Sequence, residues 1–149
     1  MIKNIIKRCI PWMEEYKKIQ YLYKKSREYY KKGNRLLSEW YSYKISKRYR
    51  CYISPKADIS YDFILPHPNG VIIGEGVKIG KRCVIYQNVT LGRKKRENAE
   101  YPSIGDDVII YSNTVIAGNV VIKNGAQIGC NSVVLADVEE NSIAVGVIK

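Results

Sequence analysis

The sequence predicts a mainly β protein, a parallel β-helix built from six-residue repeats and preceded by a short α-helical N-terminal extension. Three observations carry this. Aliphatic residues recur every sixth position from Ile53 onward, glycine often follows them, and the first third of the chain has helical spacing and a different composition. The 149 residues carry 25 Lys and Arg against 14 Asp and Glu, a formal net charge of +11. Residues 1–50 account for all of the excess, with 15 cations against 4 anions, whereas residues 51–149 carry 10 of each. The same first segment holds both tryptophans and eight of the 13 tyrosines. Two units are therefore expected, residues 1–50 and 51–149.

In the first unit Trp12, Tyr16, Ile19 and Tyr23 lie at i, i+4, i+7 and i+11, the stripe of an amphipathic helix, and Gly33-Asn34 reads as a break. A second helix follows, with Leu36, Leu37, Trp40, Tyr41 and Ile45 as its expected apolar residues. These faces must pack on something. One reading seats them on the β-helix or a neighbouring subunit with the lysines solvated. The other lays the basic, aromatic face on an anionic membrane or along an anionic polymer. Nucleic acid is not expected, because no nucleic-acid-binding motif accompanies the charge. No apolar run is long enough to span a bilayer, and the start lacks a small-residue cleavage site, so a soluble, cytoplasmic chain is expected.

In the second unit the aliphatic positions are Ile53, Ile59 and Leu65, then Ile73, Ile79, Ile85 and Leu91, then Ile104, Ile110, Ile116, Ile122, Ile128 and Val134. Four residues after each stands another inward candidate such as Ala57, Val77, Cys83, Val108, Thr114 or Ala126. Each hexad is one short strand and one turn, and stacking buries a column that no single repeat buries alone. At three hexads per turn, thirteen hexads make about four coils. The four cysteines, Cys9, Cys51, Cys83 and Cys130, show no CxxC spacing, and a single histidine spells out no zinc site. Buried, reduced thiols and no metal are expected.

The period fails twice. The step from Leu65 to Ile73 is eight, which pushes out Pro66-His67-Pro68, and the step from Leu91 to Ile104 is thirteen, which leaves a polar loop holding Arg93, Lys94, Lys95 and Arg96. Irregularities in a repeat are where function is usually inserted. The only histidine lies in the first of them.

The segments LPHPNGVIIGEGVKIGKRCVIYQNVTLG and YPSIGDDVIIYSNTVIAGNVVIKNGAQIGCNSVVLADV resemble the hexapeptide-repeat acyltransferases, specifically the serine acetyltransferase branch with its relatives in bacterial surface-polysaccharide gene clusters. The resemblance implies a left-handed coil, a homotrimer with sites between subunits, and acetyl transfer from acetyl-CoA to a hydroxyl with His67 as general base. It implies an oxyanion donor in the loop beginning Gly92-Arg93, and pantetheine contacts near Ser112, Asn113 and Cys130, with Lys94 and its neighbours available to CoA phosphates. No metal enters this chemistry, and the three-histidine zinc anhydrases of the same fold are excluded by the histidine count.

Four positions depart from the branch. Tyr52 stands where an aspartate orients the imidazole, Pro66 where another contacts serine, and Glu100-Tyr101 where an Arg-His pair lies. The acceptor expected from these departures is a sugar hydroxyl or surface-polysaccharide precursor, with Tyr52, Pro66 and Tyr101 beside it. The alternatives are serine O-acetyl transfer, for cysteine biosynthesis, and a non-catalytic hexapeptide scaffold.

Overall fold

The computed structural model describes residues 12–95, 97 and 100–149. Two helices come first, α1 (Trp12–Lys31) and α2 (Arg35–Tyr49). The Asn34 side chain accepts the Leu37 N–H at 3.1 Å and so caps α2, which ends where Arg50 turns to a φ of 52°.

The chain then coils. The first coil holds β1 (Tyr52–Ile53), β2 (Asp58–Ile59) and the bridge residue Ile64. The second holds β3 (Ile72–Ile73), β4 (Lys78–Ile79) and β5 (Val84–Ile85), and the third β6 (Thr90–Gly92), β7 (Ser103–Ile104) and β8 (Ile109–Ile110). The fourth holds β9 (Val115–Ala117), β10 (Val121–Ile122) and β11 (Gln127–Ile128). The fifth holds β12 (Val133–Val134), the bridge residue Val138 and β13 (Ile143–Ala144), and β14 (Val147–Ile148) opens a sixth. All pairing is parallel, and the coils form a left-handed prism of three faces. The first face is β1-β3-β6-β9-β12-β14, the second β2-β4-β7-β10, and the third β5-β8-β11-β13. Five coils and a sixth strand exceed the four expected, because Val138, Ala144 and Ile148 continue the pattern beyond Val134 in steps of four, six and four.

All thirteen aliphatic positions are buried, and the second inward column, from Ala57 through Cys83 and Val108 to Val138, is buried with them. Each hexad thus sends two side chains inside and turns the rest out, which is why the period is legible at all. The helices close the open end. Ile19, Tyr23, Ile45 and Tyr49 join the same core, and the Tyr23 ring meets Phe63 edge-on with centroids 5.9 Å apart. The Tyr23 hydroxyl donates to the Ala57 carbonyl at 2.7 Å and accepts the Ile59 N–H at 3.2 Å. Arg27, only 8% exposed, donates to the Pro55, Lys56 and Ala57 carbonyls and pairs with Asp58. These bonds satisfy backbone groups of the first coil that no lower coil is there to pair.

The second helix packs differently from its sequence pattern. Its buried residues are Ser38, Ser42, Ile45 and Tyr49, and the seam with α1 is made by serines, with Ser26 Oγ bonded to the Ser38 carbonyl at 2.9 Å and to Ser42 Oγ at 2.8 Å. Leu36 is 86% exposed, and Leu37, Trp40 and Tyr43 also face outward. Small residues let the two helix backbones approach closely there, and beside them Tyr41 stacks on Tyr29 of α1 with centroids 5.6 Å apart. In α1, Ile19 and Tyr23 are buried as the spacing predicts, Tyr16 is half-buried, and the side chain of Trp12 lies outside the described residues.

Candidate active site

His67 sits on the corner between the third and first faces, where the chain leaves Ile64 and reaches β3. Pro66 and Pro68 restrict the backbone on both sides of it, and the His67 carbonyl accepts the Asn69 N–H at 2.8 Å, so the bulge is a tight turn. The imidazole is exposed. Its ring neighbour is Tyr86, with centroids 6.3 Å apart, and Tyr86 stacks in turn on Tyr111 at 5.3 Å. This three-ring ladder climbs one coil per ring, because Tyr86 and Tyr111 each follow the last core residue of the third face.

The same corner carries a second ladder. Asn88 and Asn113 adopt φ of 58° and 60°, and Asn131 of 57°, and their side-chain amides bond one to the next at 3.0 Å. Asparagine tolerates the left-handed turn and its amide bridges successive coils. A Cβ at Gly70, at the foot of this ladder, would collide with the Asn88 side chain. Ser112 and Cys130 lie on this corner with Asn113, above His67. The Ser112 carbonyl accepts the Asn131 N–H at 3.0 Å, and both faces of the Asn113 amide serve the ladder. Cys130 is exposed, contrary to the buried thiol expected. Cys51 and Cys83 are buried, and burial raises the Cys83 thiol to about 11; Cys9 lies outside the described residues.

The other predicted residues occupy a different corner, between the first and second faces. Gly92 ends β6, its carbonyl accepts the Gly118 N–H at 3.0 Å, and a Cβ there would meet open space. Arg93 and Lys94 follow, and the Lys94 stem lies against Gly118. Arg96 is outside the described residues. Tyr101 donates to Glu75 at 3.2 Å, and its ring covers Gly74 and Gly76, where a side chain would collide with it. Lys56 pairs with Glu75 at 2.7 Å, so Tyr101 is moored to its own chain. One chain therefore brings His67, Ser112, Asn113 and Cys130 together, and separately Gly92, Arg93, Lys94 and Tyr101. Tyr52, expected beside the imidazole, is half exposed on β1; among the described residues the ring contact to His67 comes from Tyr86 instead.

The cleft around His67 has a wall that the sequence did not disclose. Pro66, His67, Pro68 and Asn69 face Glu15, Arg48 and Tyr49 from the helices. Glu15 accepts from Arg48 Nη2 at 3.3 Å and Nε at 3.4 Å, and from Lys18 at 3.0 Å. The neighbouring Tyr49 hydroxyl, Lys18 and Arg48 hold the Glu15 carboxyl down at about 2, so it is charged at every ordinary pH. Burial and the Glu15 charge push Tyr49 up to about 12. Among the described residues, no three His, Cys, Asp or Glu side chains group to hold a metal ion.

Residues 101–136 match the family model described as bacterial transferase hexapeptide (six repeats). The serine acetyltransferase of Bacillus licheniformis is 41% identical over 96 residues, covering 64% of this chain and 44% of the relative. A serine acetyltransferase solved in complex with CoA superimposes with a TM-score of 0.79 at 30% identity, over 84% of this chain and 52% of the other. The chain carries hexapeptide repeats and is similar in sequence and fold to serine acetyltransferases. A soybean serine acetyltransferase complexed with serine gives a TM-score of 0.77 at 34% identity, over 81% of this chain and 50% of that one. The chain spans less than half the length of the curated relative and about half of the solved ones. The relatives named here are serine acetyltransferases, and none of them is named for the sugar acceptor expected from Tyr52, Pro66 and Glu100-Tyr101.

Proposed function

We propose that the protein is an acetyl-CoA-dependent O-acetyltransferase that uses His67 as general base, with serine as the first acceptor to test. The exposed imidazole in a proline-stiffened turn, on a fold shared with a serine acetyltransferase that binds CoA, is the observation that carries this reading. Neutral imidazole takes the hydroxyl proton as the oxygen attacks the thioester carbonyl, and the thiol of CoA leaves. No covalent enzyme intermediate is needed. The oxyanion of the tetrahedral intermediate needs a donor, for which the backbone at Gly92-Arg93 is the candidate. Because those residues and Tyr101 lie on another corner than His67, the reading includes a homotrimer in which one subunit's His67 faces the loop of the next. Ser112, Asn113 and Cys130 on the His67 corner are the candidates for pantetheine.

A sugar hydroxyl is the second reading, favoured by the absence of the acid and Arg-His groups at positions 52, 66, 100 and 101. Purified protein and acetyl-CoA incubated with serine and with candidate sugars decide between them, read by mass spectrometry as the gain of one acetyl group. Products from neither acceptor class would leave the scaffold alternative standing.

The reading includes a location, for which the helices supply the support. No described helix is long and apolar enough to cross a membrane. The outer face of α2 presents Leu36, Trp40 and Tyr43, with Lys44 3.6 Å from the Trp40 ring and Lys47 5.8 Å from the Tyr43 ring. An aromatic face rimmed with cations suits the headgroup region of an anionic membrane, and supports a cytoplasmic enzyme held peripherally at that surface.

A further inference from the structure

The prism carries Tyr52, Pro66 and Glu100-Tyr101 where the serine acetyltransferases it resembles place acids and an Arg-His pair, and a guanidinium and a carboxylate stand across the cleft from His67. Both come from the helical extension. Arg48, at the end of α2, and Glu15, in the first turns of α1, line the cleft with Pro66, His67 and Tyr49. Their mutual bonds, at 3.3 and 3.4 Å, are long for a charge-assisted pair, whose usual range is about 2.7–2.9 Å. The Arg48 side chain is 61% exposed and that of Glu15 24%, so the guanidinium keeps donors for a second partner. A second cleft lined by Lys17, Lys18, Tyr21 and Leu22 shares Arg48 and Tyr49 with the first. Among the described residues lining the two clefts, the cations Lys17, Lys18 and Arg48 stand with the carboxylate of Glu15.

Resting on the O-acetyl transfer reading, we infer that Arg48 binds the carboxylate of the acceptor and that the Glu15–Arg48 pair supplies the recognition lost from positions 52, 66 and 100–101. The ligand chemistry is a carboxylate carried on the same small molecule as the hydroxyl to be acetylated. Two sources have that chemistry, a hydroxy amino acid and an acidic sugar. The amino acid also places its ammonium near Glu15, whereas the acidic sugar lays its ring on Tyr49 or Tyr21. A planar guanidinium recognises a carboxylate through two parallel bonds, so the assignment is to Arg48 and not to the lysines.

The test compares wild type with Arg48→Gln, using serine against serinamide and glucuronate against glucose. Each pair differs in its carboxylate. Transfer kinetics are measured at saturating acetyl-CoA, and binding by ligand-observed NMR without acetyl-CoA. The wild type is expected to prefer one acid over its neutral partner, and Arg48→Gln to lose that preference by about tenfold or more, as for a charged hydrogen bond, with the KM for acetyl-CoA unchanged. The acid that shows the preference identifies the source. Loss of an exposed ion pair elsewhere, in Lys123→Gln, is expected to leave the preference intact. If Arg48→Gln melts early, Glu15→Gln keeps the guanidinium. It is expected to weaken serine and to hold or tighten glucuronate, whereas equal weakening of both overturns the assignment. A wild type without preference, or a preference kept in Arg48→Gln, also overturns it. Arg48-dependent binding without any transfer would instead overturn the acetyltransferase reading and leave this site standing.

Discussion

Tyr23 and Ala57 join the helical extension to the β-helix: the Tyr23 hydroxyl, buried under the first coil, donates to the Ala57 carbonyl at 2.7 Å while accepting the Ile59 N–H at 3.2 Å. One side chain thus satisfies two backbone groups at the open end of the prism. Burial pushes the phenol up to about 12, so it remains a donor throughout the working range of pH. Tyr23→Phe keeps the packing on Phe63 but strands the Ile59 N–H and leaves the Ala57 carbonyl to Arg27 alone, and the expected loss is about 1–2 kcal/mol, seen as a lower midpoint in urea with an unchanged slope. An unchanged midpoint would show that the cap is held by apolar contact alone.

Glu15 makes that cap sensitive to acid. Its carboxyl falls from an ordinary 4.5 to about 2 through Tyr49, Lys18 and Arg48. A group depressed on folding adds stability above its unfolded value and loses it as the pH drops toward the folded one. Stability is therefore expected to decline between about pH 4.5 and pH 2, and Glu15→Gln to flatten that part of the curve. Thermal melts of both proteins across this range check it.

His67→Ala is expected to lower acetyl transfer by at least about a hundredfold, the scale of a lost general base, while the circular dichroism and oligomer size stay unchanged. Transfer at the wild-type rate in this variant would remove His67 from the mechanism. The exposed position of the imidazole means that no cavity opens on its removal.

Trp40→Ala tests the membrane reading. The indole is 47% exposed and its ring neighbour is Tyr41 of the same helix, so the fold should persist. Flotation with vesicles rich in anionic lipid is expected to fall, and wild-type flotation to weaken as salt rises. Wild-type protein that ignores anionic vesicles at low salt would favour a protein partner for this face.

Ile116→Ala opens a cavity in the middle of the column, where Ile116 is fully buried between Leu91 and Val134 on the first face. The expected cost is about 2–5 kcal/mol by denaturant titration. A smaller cost would mean that adjacent coils relax onto the gap.

The hexad pattern made the fold legible because a β-helix is nearly one-dimensional: a residue's position modulo six tells whether it points inward. The same arithmetic, carried to three hexads per coil, would have placed His67 and the Gly92 loop on different corners and brought Tyr86 above His67. The helices gave no such handle. Leu36, Trp40 and Tyr43 have the spacing of a buried stripe, yet the seam is made by Ser26, Ser38 and Ser42, whose small size matters only once two helix backbones lie side by side.

By itself the sequence determined the coil, its inward columns, the bulge that exposes His67 and the confinement of the excess charge to residues 1–50. Each is a local property of spacing or composition, readable without knowing what lies opposite. The tertiary structure alone decided that α1 caps the prism through Tyr23 and Arg27, that Trp40 is left outside, and that Glu15 and Arg48, 33 residues apart, meet across the cleft from His67. Those relations come from where two helices dock on the first coil, and docking depends on shape and on unpaired backbone groups that no periodicity records.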